Sequence, residues 1–385
     1  MVPLILAFLI PALSIIWFSL IFLIYQGVKK SKICPAPYQK NPAFSIIIAA
    51  RNESQNICRL ISALQNQEYP HENFELILVL NNCLDNTEIL ANKSLQDVTF
   101  RYQLISLAGN DAISPKKQAL WHGANLARNP ILVFTDADCF PQSKWLRTLA
   151  EHFTANTEIV IAFAPLKASK MNLVEKVAQF DAVINNLAAA AGVGLGFPFM
   201  ANGRNIAIKR ELYLESRALP KLNHIISGDD DLLVQKLNNF KPLHARFCFE
   251  PSGHVHSFAP STFYSYLMRR GRHVSVAKNF HFRVAVGFGI YQVVGFLLLI
   301  LPIFSITEEV LLIFMGLTFL RIAAEAGLIR FFLRQSKASF SPLNFIIWLF
   351  LSPLLSVISL IVFYRAGDKW PVDINNNSEI DACVK

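Results

Sequence analysis

Apolar and polar positions divide the chain into three stretches of different rhythm. From Leu4 to Tyr25 only two serines and the closing tyrosine interrupt an apolar run. At roughly 22 residues, such a run crosses a ~30 Å hydrocarbon core as a helix. Three further runs close the chain, Val284–Phe304, Val310–Leu333 and Leu343–Tyr364. Between them, from about Ala43 to Phe258, short continuous apolar runs alternate with runs of helical spacing. Phe44–Ala50, Phe74–Leu80, Phe100–Leu107 and Ile131–Thr135 predict strands, the first buried on both faces and the fourth buried. Asn56–Gln67, a segment from near Asn86 and Lys116–Ala127 predict the helices between them. This repetition predicts an α/β fold: a mostly parallel central sheet with helices on both faces, and ligands bound beyond the carboxyl ends of its strands.

Composition supports a membrane protein. Of 385 residues, 53% are hydrophobic and 16% charged, against roughly 25% charged in a typical soluble domain. That excludes a disordered chain, a coiled coil and a small disulfide scaffold. The first apolar run reads as a retained anchor rather than a signal peptide, because no basic residue precedes it and Lys29, Lys30 and Lys32 follow it. Those lysines place the next segment in the cytoplasm. The acidic Ser305–Glu309 connection and the basic one holding Arg334 and Lys337 then alternate outside and inside. The expected organisation is an anchor over 1–28, a linker over 29–42, a cytoplasmic domain over 43–258, an interfacial amphipathic segment over 259–282, three spans over 283–365 and a polar tail over 366–385 outside. Arg321 and Glu325, spaced i, i+4 inside the third span, are expected to pair and pack helices together. The +9 net charge matches topology and anionic head groups, and no nucleic-acid partner is expected. Six cysteines without metal-ligand spacing read as free thiols in a reducing cytoplasm.

The polar motifs fall where the strands end. Arg51-Asn52-Glu53 follows the first strand, Asn81-Asn82-Cys83-Leu84-Asp85-Asn86-Thr87 the second, and Thr135-Asp136-Ala137-Asp138 the fourth. Two carboxylates at i, i+2 beyond a buried strand form a hard-oxygen site suited to Mg²⁺ or Mn²⁺ with substrate phosphates. Gly228-Asp229-Asp230-Asp231 opens a predicted helix. An N-cap accounts for one or two of these acids, whereas three in succession repel and raise a pKa or bind a cation. Phe263–Lys278 mixes aromatics with Arg269, Arg270, Arg272 and His273. Its arginines face lipid head groups or hold a pyrophosphate or acceptor. His254 and His256 alternate like ligands on one strand face, where one could share a metal with Asp138, but the favoured reading is satisfied strand or loop histidines; the Gly192–Gly196 run reads as a flexible active-site loop.

Together these motifs resemble a membrane-bound family 2 glycosyltransferase, of the branch with bacterial polysaccharide synthases and lipid glycosyltransferases. The resemblance covers roughly Phe44 to Lys278. It implies a GT-A-like nucleotide-sugar-binding sandwich with four transmembrane helices, one N-terminal and three C-terminal. It implies that Arg51, Glu53, Asn82, Lys116 and Asp136 bind the donor, and that Asp136 and Asp138 hold Mg²⁺ or Mn²⁺. Asp230 becomes the general base, and Asn205, Asp229, Arg269, Arg272 and His273 the acceptor or pyrophosphate residues. Gly203-Arg204-Asn205-Ile206-Ala207 stands for the family's acceptor-side segment. Two departures matter: Asn81-Asn82 replaces the usual Asp-Asp, and Arg269-Arg270-Gly271-Arg272-His273 stands where many members have Q-x-x-R-W.

The expected activity is metal-dependent, inverting transfer of a sugar from a nucleotide-diphosphate sugar, UDP first and GDP second. The acceptor is a lipid or glycan at the cytoplasmic face of a membrane, expected to be a bacterial inner membrane, with membrane lipids as further partners. Two alternatives are a catalytically silent membrane scaffold and a processive polysaccharide synthase. The missing tryptophan at His273 speaks against the second.

Overall fold

A computed structural model describes residues 2–32, 41–107, 114–218, 230–301 and 308–366. An apolar helix, α1 (Val2–Ser31), precedes an α/β body. There β1 (Phe44–Ala50), α2 (Ile57–Gln65), β2 (Phe74–Asn81), α3 (Thr87–Leu95), β3 (Arg101–Leu107), α4 (Pro115–Leu126) and β4 (Ile131–Phe134) follow as strand–helix units. Next come β5 (Phe140–Pro141), α5 (Trp145–His152), β6 (Ile159–Ala162), β7 (Leu166–Lys167) and the long α6 (Leu173–Gly194). The body closes with β8 (Ile206–Lys209), α7 (Arg210–Ala218), α8 (Asp231–Phe240), β9 (Ala245–Cys248) and β10 (Val255–Phe258).

The main sheet has seven strands in the order β3-β2-β1-β4-β8-β6-β9. β3, β2, β1 and β4 run parallel, β8 is antiparallel to both its neighbours, and β6 pairs parallel with β9. Side chains alternate across it as a period of two requires. Ile46, Ile48, Leu76 and Leu78 pack on one side with Ile57, Leu60 and Trp145. Ile47, Ile77 and Val79 pack on the other with Ala119 and Ala124 of α4. That second core runs unbroken into the apolar helices, through Trp17, Phe332 and Leu349. A small sheet, β5-β10-β7, stands beside the main one.

After the body come α9 (Phe263–Val276), α10 (Phe282–Gly289), a π-helical turn (Ile290–Val294), α11 (Gly295–Ile300), α12 (Glu308–Gln335) and α13 (Pro342–Ala366). Among the described residues, four segments are long and apolar enough to cross a membrane: Phe8–Ser31, Phe282–Ile300, Leu311–Gln335 and Pro342–Arg365. α1 continues past Tyr25, and its last turns dock on α6. A Cβ at Gly194 would sit 1.8 Å from the Gly27 carbonyl oxygen, so only glycine permits this crossing. Gly192–Gly194 are therefore the packed end of α6, not part of the flexible loop expected from their composition; Leu195 and Gly196 form the turn that follows. Arg321 and Glu325 pair at 3.6 Å, Tyr291 of the π-helical turn hydrogen-bonds Glu325, and Arg321 lies 5.1 Å over the Trp17 ring.

α13 packs chiefly on α9 and α6. Arg270 pairs with Asp181, donates to the Ser352 hydroxyl at 2.9 Å and donates to the Ser356 hydroxyl at 2.8 Å. Trp348 Nε1 donates to Asp181 at 2.7 Å. Cys83, Cys139 and Cys248 are free thiols, but Cys58 is disulfide-bonded, which corrects the expectation of six free thiols.

Candidate active site

Parallel pairing in register brings the carboxyl ends of β1, β2 and β4 to one rim. Each of the first two loops turns on an asparagine with left-handed backbone, Asn52 at φ 57° and Asn82 at φ 52°. Asparagine tolerates that region better than most residues with a Cβ. The loops are then laced together. Leu84 N donates to Asn52 Oδ1 at 2.8 Å, Glu53 N to Thr87 Oγ1 at 2.7 Å, and Ser54 N to Asp85 Oδ2 at 3.1 Å. Arg51 and Asn82 stay exposed on this platform. Burial, with Asp138, Asp136 and Asp85 nearby, raises the Glu53 carboxyl to about 7 despite a hydrogen bond from Asn56. The Asn81 amide donates to the Pro115 carbonyl at 2.7 Å, a bond an ionised aspartate cannot donate. That bond anchors the start of α4, which carries Lys116.

Thr135-Asp136-Ala137-Asp138 leaves β4 in a tight turn, with Cys139 N donating to the Asp136 carbonyl at 3.1 Å. Ala137 is buried and both aspartates are half-buried. Lys116 Nζ reaches Asp136 Oδ1 at 2.6 Å. Burial works to raise the Asp136 carboxyl, but Lys116, with Arg204 and Arg269, overrides it and holds the group below the usual carboxylate range.

Arg204 and Asn205 divide the work of their segment. Asn205 is fully buried; it accepts from Trp145 Nε1 at 2.9 Å and donates to the Phe163 and Gly253 carbonyls at 3.1 and 2.8 Å. All these bonds are internal, so in this structure the Asn205 side chain braces its own segment. The charge that reaches the site belongs to Arg204, which the sequence reading passed over as the variable position of its motif. Its guanidinium is fixed by Ser257 and by the Ala164 carbonyl, the latter at 2.9 Å.

Asp230 caps α8. One of its oxygens accepts from Gly203 N at 2.6 Å and the other from Asp231 N at 2.9 Å, which fixes the carboxylate plane. Asp231 accepts from Ala201 N at 2.9 Å. Burial, then the charge of Asp230, pushes Asp231 well above the carboxylate range. Asp229 lies outside the described residues.

The arginines of α9 separate by face. Arg270 turns to α6 and α13, as above. Arg269 lies within the field of Asp138 and Asp136, and burial, with Arg204 and Arg272 close by, lowers it to about 10. His273 is crowded by surrounding protein and then by Arg272, Arg269, Arg204 and Lys116, which push it well below the imidazole range. The rim thus gathers Glu53, Asp136 and Asp138 beside Lys116, Arg204, Arg269 and Arg272. Cations in this excess suit a diphosphate.

The donor set also fits a divalent cation. His254 is satisfied through the Phe249 carbonyl, 2.9 Å away, but His256 Nδ1 is buried with no hydrogen-bond partner. Strand pairing sets His256 opposite Phe140, two residues beyond Asp138, and the two rings stack at 5.9 Å. Burial, then Lys167, lowers His256 to about 4, which leaves it neutral as a ligand must be. A second group, His152, Cys248 and Glu250, has ligand atoms within 4.8 Å of one another. It sits on α5 and the turn after β9, and its His152–Glu250 bond of 2.9 Å satisfies it internally.

Known proteins resemble this chain in sequence and in fold. Residues 45–213 match the family model for glycosyl transferase family 2. Glycosyltransferase AglE of Haloferax volcanii is 24% identical over 193 residues, which cover 49% of this chain and 59% of that protein. Among solved structures, mannosyltransferase PcManGT from Pyrobaculum calidifontis, in complex with GDP-Man and Mn²⁺, superposes with a TM-score of 0.59 at 16% identity. That match covers 94% of this chain and 99% of the other. Residues 1–349 of S. aureus TarS in complex with UDP-GlcNAc give a TM-score of 0.40 at 15% identity, covering 87% of this chain and 95% of the other. The fold is GT-A-like.

Proposed function

We propose that this chain, whose residues 45–213 match the family model for glycosyl transferase family 2, is a glycosyltransferase that performs a single inverting displacement. It moves a sugar from a nucleotide-diphosphate donor to a lipid-linked or glycan acceptor at a membrane. The observation that carries this reading is the meeting of Asp136 and Asp138 with Lys116, Arg204 and Arg269 at one rim. The laced loops after β1 and β2 receive the nucleoside, with Arg51, Glu53 and the Asn82 amide at its edge. Lys116 and Asp136 orient the ribose and diphosphate. Asp136, Asp138 and the open Nδ1 of His256 would hold Mg²⁺ or Mn²⁺, which when bound neutralises diphosphate charge.

Asp230 takes the proton of the acceptor hydroxyl as that oxygen bonds to the anomeric carbon. The bond from the anomeric carbon to the diphosphate breaks in the same step, and the leaving charge falls to Arg269 and Arg272. Lys29 and Lys30 at the end of α1 support a cytoplasmic body, and on this reading α9 would hold the acceptor beside the bilayer.

The test is a release and transfer screen on detergent-purified protein, with UDP- and GDP-sugars, membrane lipid extract as acceptor, and Mn²⁺, Mg²⁺ or EDTA. GDP-sugars belong in it because the fold neighbour PcManGT was solved with GDP-Man. Metal-dependent release of one nucleotide is expected. Absence of both release and nucleotide binding across all donors would instead support a silent scaffold.

A further inference from the structure

The inner end of α12 carries a basic cavity with no part in the sugar-transfer reading. It measures about 300 Å³ and is lined by Arg330, Arg334, Ala338, Phe340 and Pro342. Arg330 and Arg334 stand one turn apart on the same helix face, and both are exposed. Among the described residues neither guanidinium has a hydrogen bond or an ion pair, unlike those of Arg270 and Arg321. Arg330 also falls inside the apolar segment Leu311–Gln335. There an unpaired cation is costly unless it reaches the head-group layer.

The turn beyond adds two features. Ser336 is 1% exposed and its hydroxyl has no partner, and Lys337 holds left-handed backbone at φ 49°. The opposite wall is apolar. Phe340 is braced against Phe180 and Phe345, with ring centroids 6.4 and 5.9 Å away. The negative end of the α12 dipole is equivalent to about half a charge, less than the two guanidinium charges beside it.

We propose that this cavity binds the phosphate of an anionic membrane lipid, held by Arg330 and Arg334, with the lipid's glycerol and first acyl carbons on Ala338, Phe340 and Pro342. It rests on the reading that α12 and α13 are embedded in a membrane. A free phosphate would use the arginines and leave the apolar wall bare, so the lipid form binds more tightly.

Native mass spectrometry of the full chain in detergent tests it, with dioleoyl phosphatidylglycerol, dioleoyl phosphatidylcholine or inorganic phosphate added. The expected result is one retained phosphatidylglycerol per chain that millimolar phosphate does not displace. Losing two charge-assisted contacts should weaken retention at least about tenfold in Arg330→Gln/Arg334→Gln. Arg334→Gln alone, at an exposed last-turn position, should weaken it partly and guards against misfolding of the double variant. Lys29→Gln, a charge removed from another helix end, should leave retention unchanged. Equal retention by wild type and the double variant, or equal retention of phosphatidylcholine, would overturn the proposal. Displacement by inorganic phosphate would assign the site to a free anion instead. Lipid occupancy is read without sugar turnover, so failure here and failure of the donor reading are separable.

Discussion

Glu53 is a rim side chain held far from its ordinary chemistry. Its carboxyl is raised from 4.5 to about 7 by burial and the neighbouring acids. Below pH 4.5 folded and unfolded chains both hold the proton. Between 4.5 and 7 the folded chain alone holds it, so stability falls as pH rises, by up to about 3 kcal/mol above pH 7. Denaturation in EDTA between pH 5 and 8 should therefore show wild type losing stability relative to Glu53→Gln; parallel curves would contradict this. The rim positions of Asp136, Asp138 and Lys116 and the capping position of Asp230 were legible in the sequence because each sits at a fixed offset from a strand end or helix start. Arg204 and Asn205 were not. Their roles depend on which of two adjacent side chains turns inward at β8, and no local pattern encodes that. The missing acid at Asn81 likewise acquires a reason only once the Pro115 carbonyl is seen beside it.

Among the elements, the strands were readable because a parallel sheet covered on both faces needs unbroken apolar runs, as in FSIIIAA and FELILVL. Helix contacts were not readable, since they join residues far apart in sequence. Arg270 shows this: next to two arginines of the site, it serves the contact of α9 with α6 and α13. Only glycine at position 271 lets α13 approach, because a Cβ there would lie 2.4 Å from the Ser359 carbonyl oxygen. Arg270→Ala leaves the Asp181 carboxylate half-buried without its ion pair, and should lower both the melting temperature and turnover. Asp181→Asn in the same chain should restore part of the stability, with a coupling of about 1–3 kcal/mol in a double-mutant cycle. Purely additive effects would show that the pair does not tie these helices.

For the whole molecule, the parallel half of the sheet delivers three loops to one rim, and the second core joins that sheet to apolar helices without a gap. On the proposed reading, that union sets a donor site beside a membrane-facing acceptor side, with Asp230 as the base between them, both its oxygens fixed by backbone N–H groups. The most direct measurement is donor binding and sugar transfer by Asp230→Asn beside wild type, under matched metal and lipid conditions. Removing a general base while keeping shape should leave nucleotide binding intact and slow transfer by about 10²–10⁴-fold. Transfer at the wild-type rate by Asp230→Asn would contradict the account at its centre.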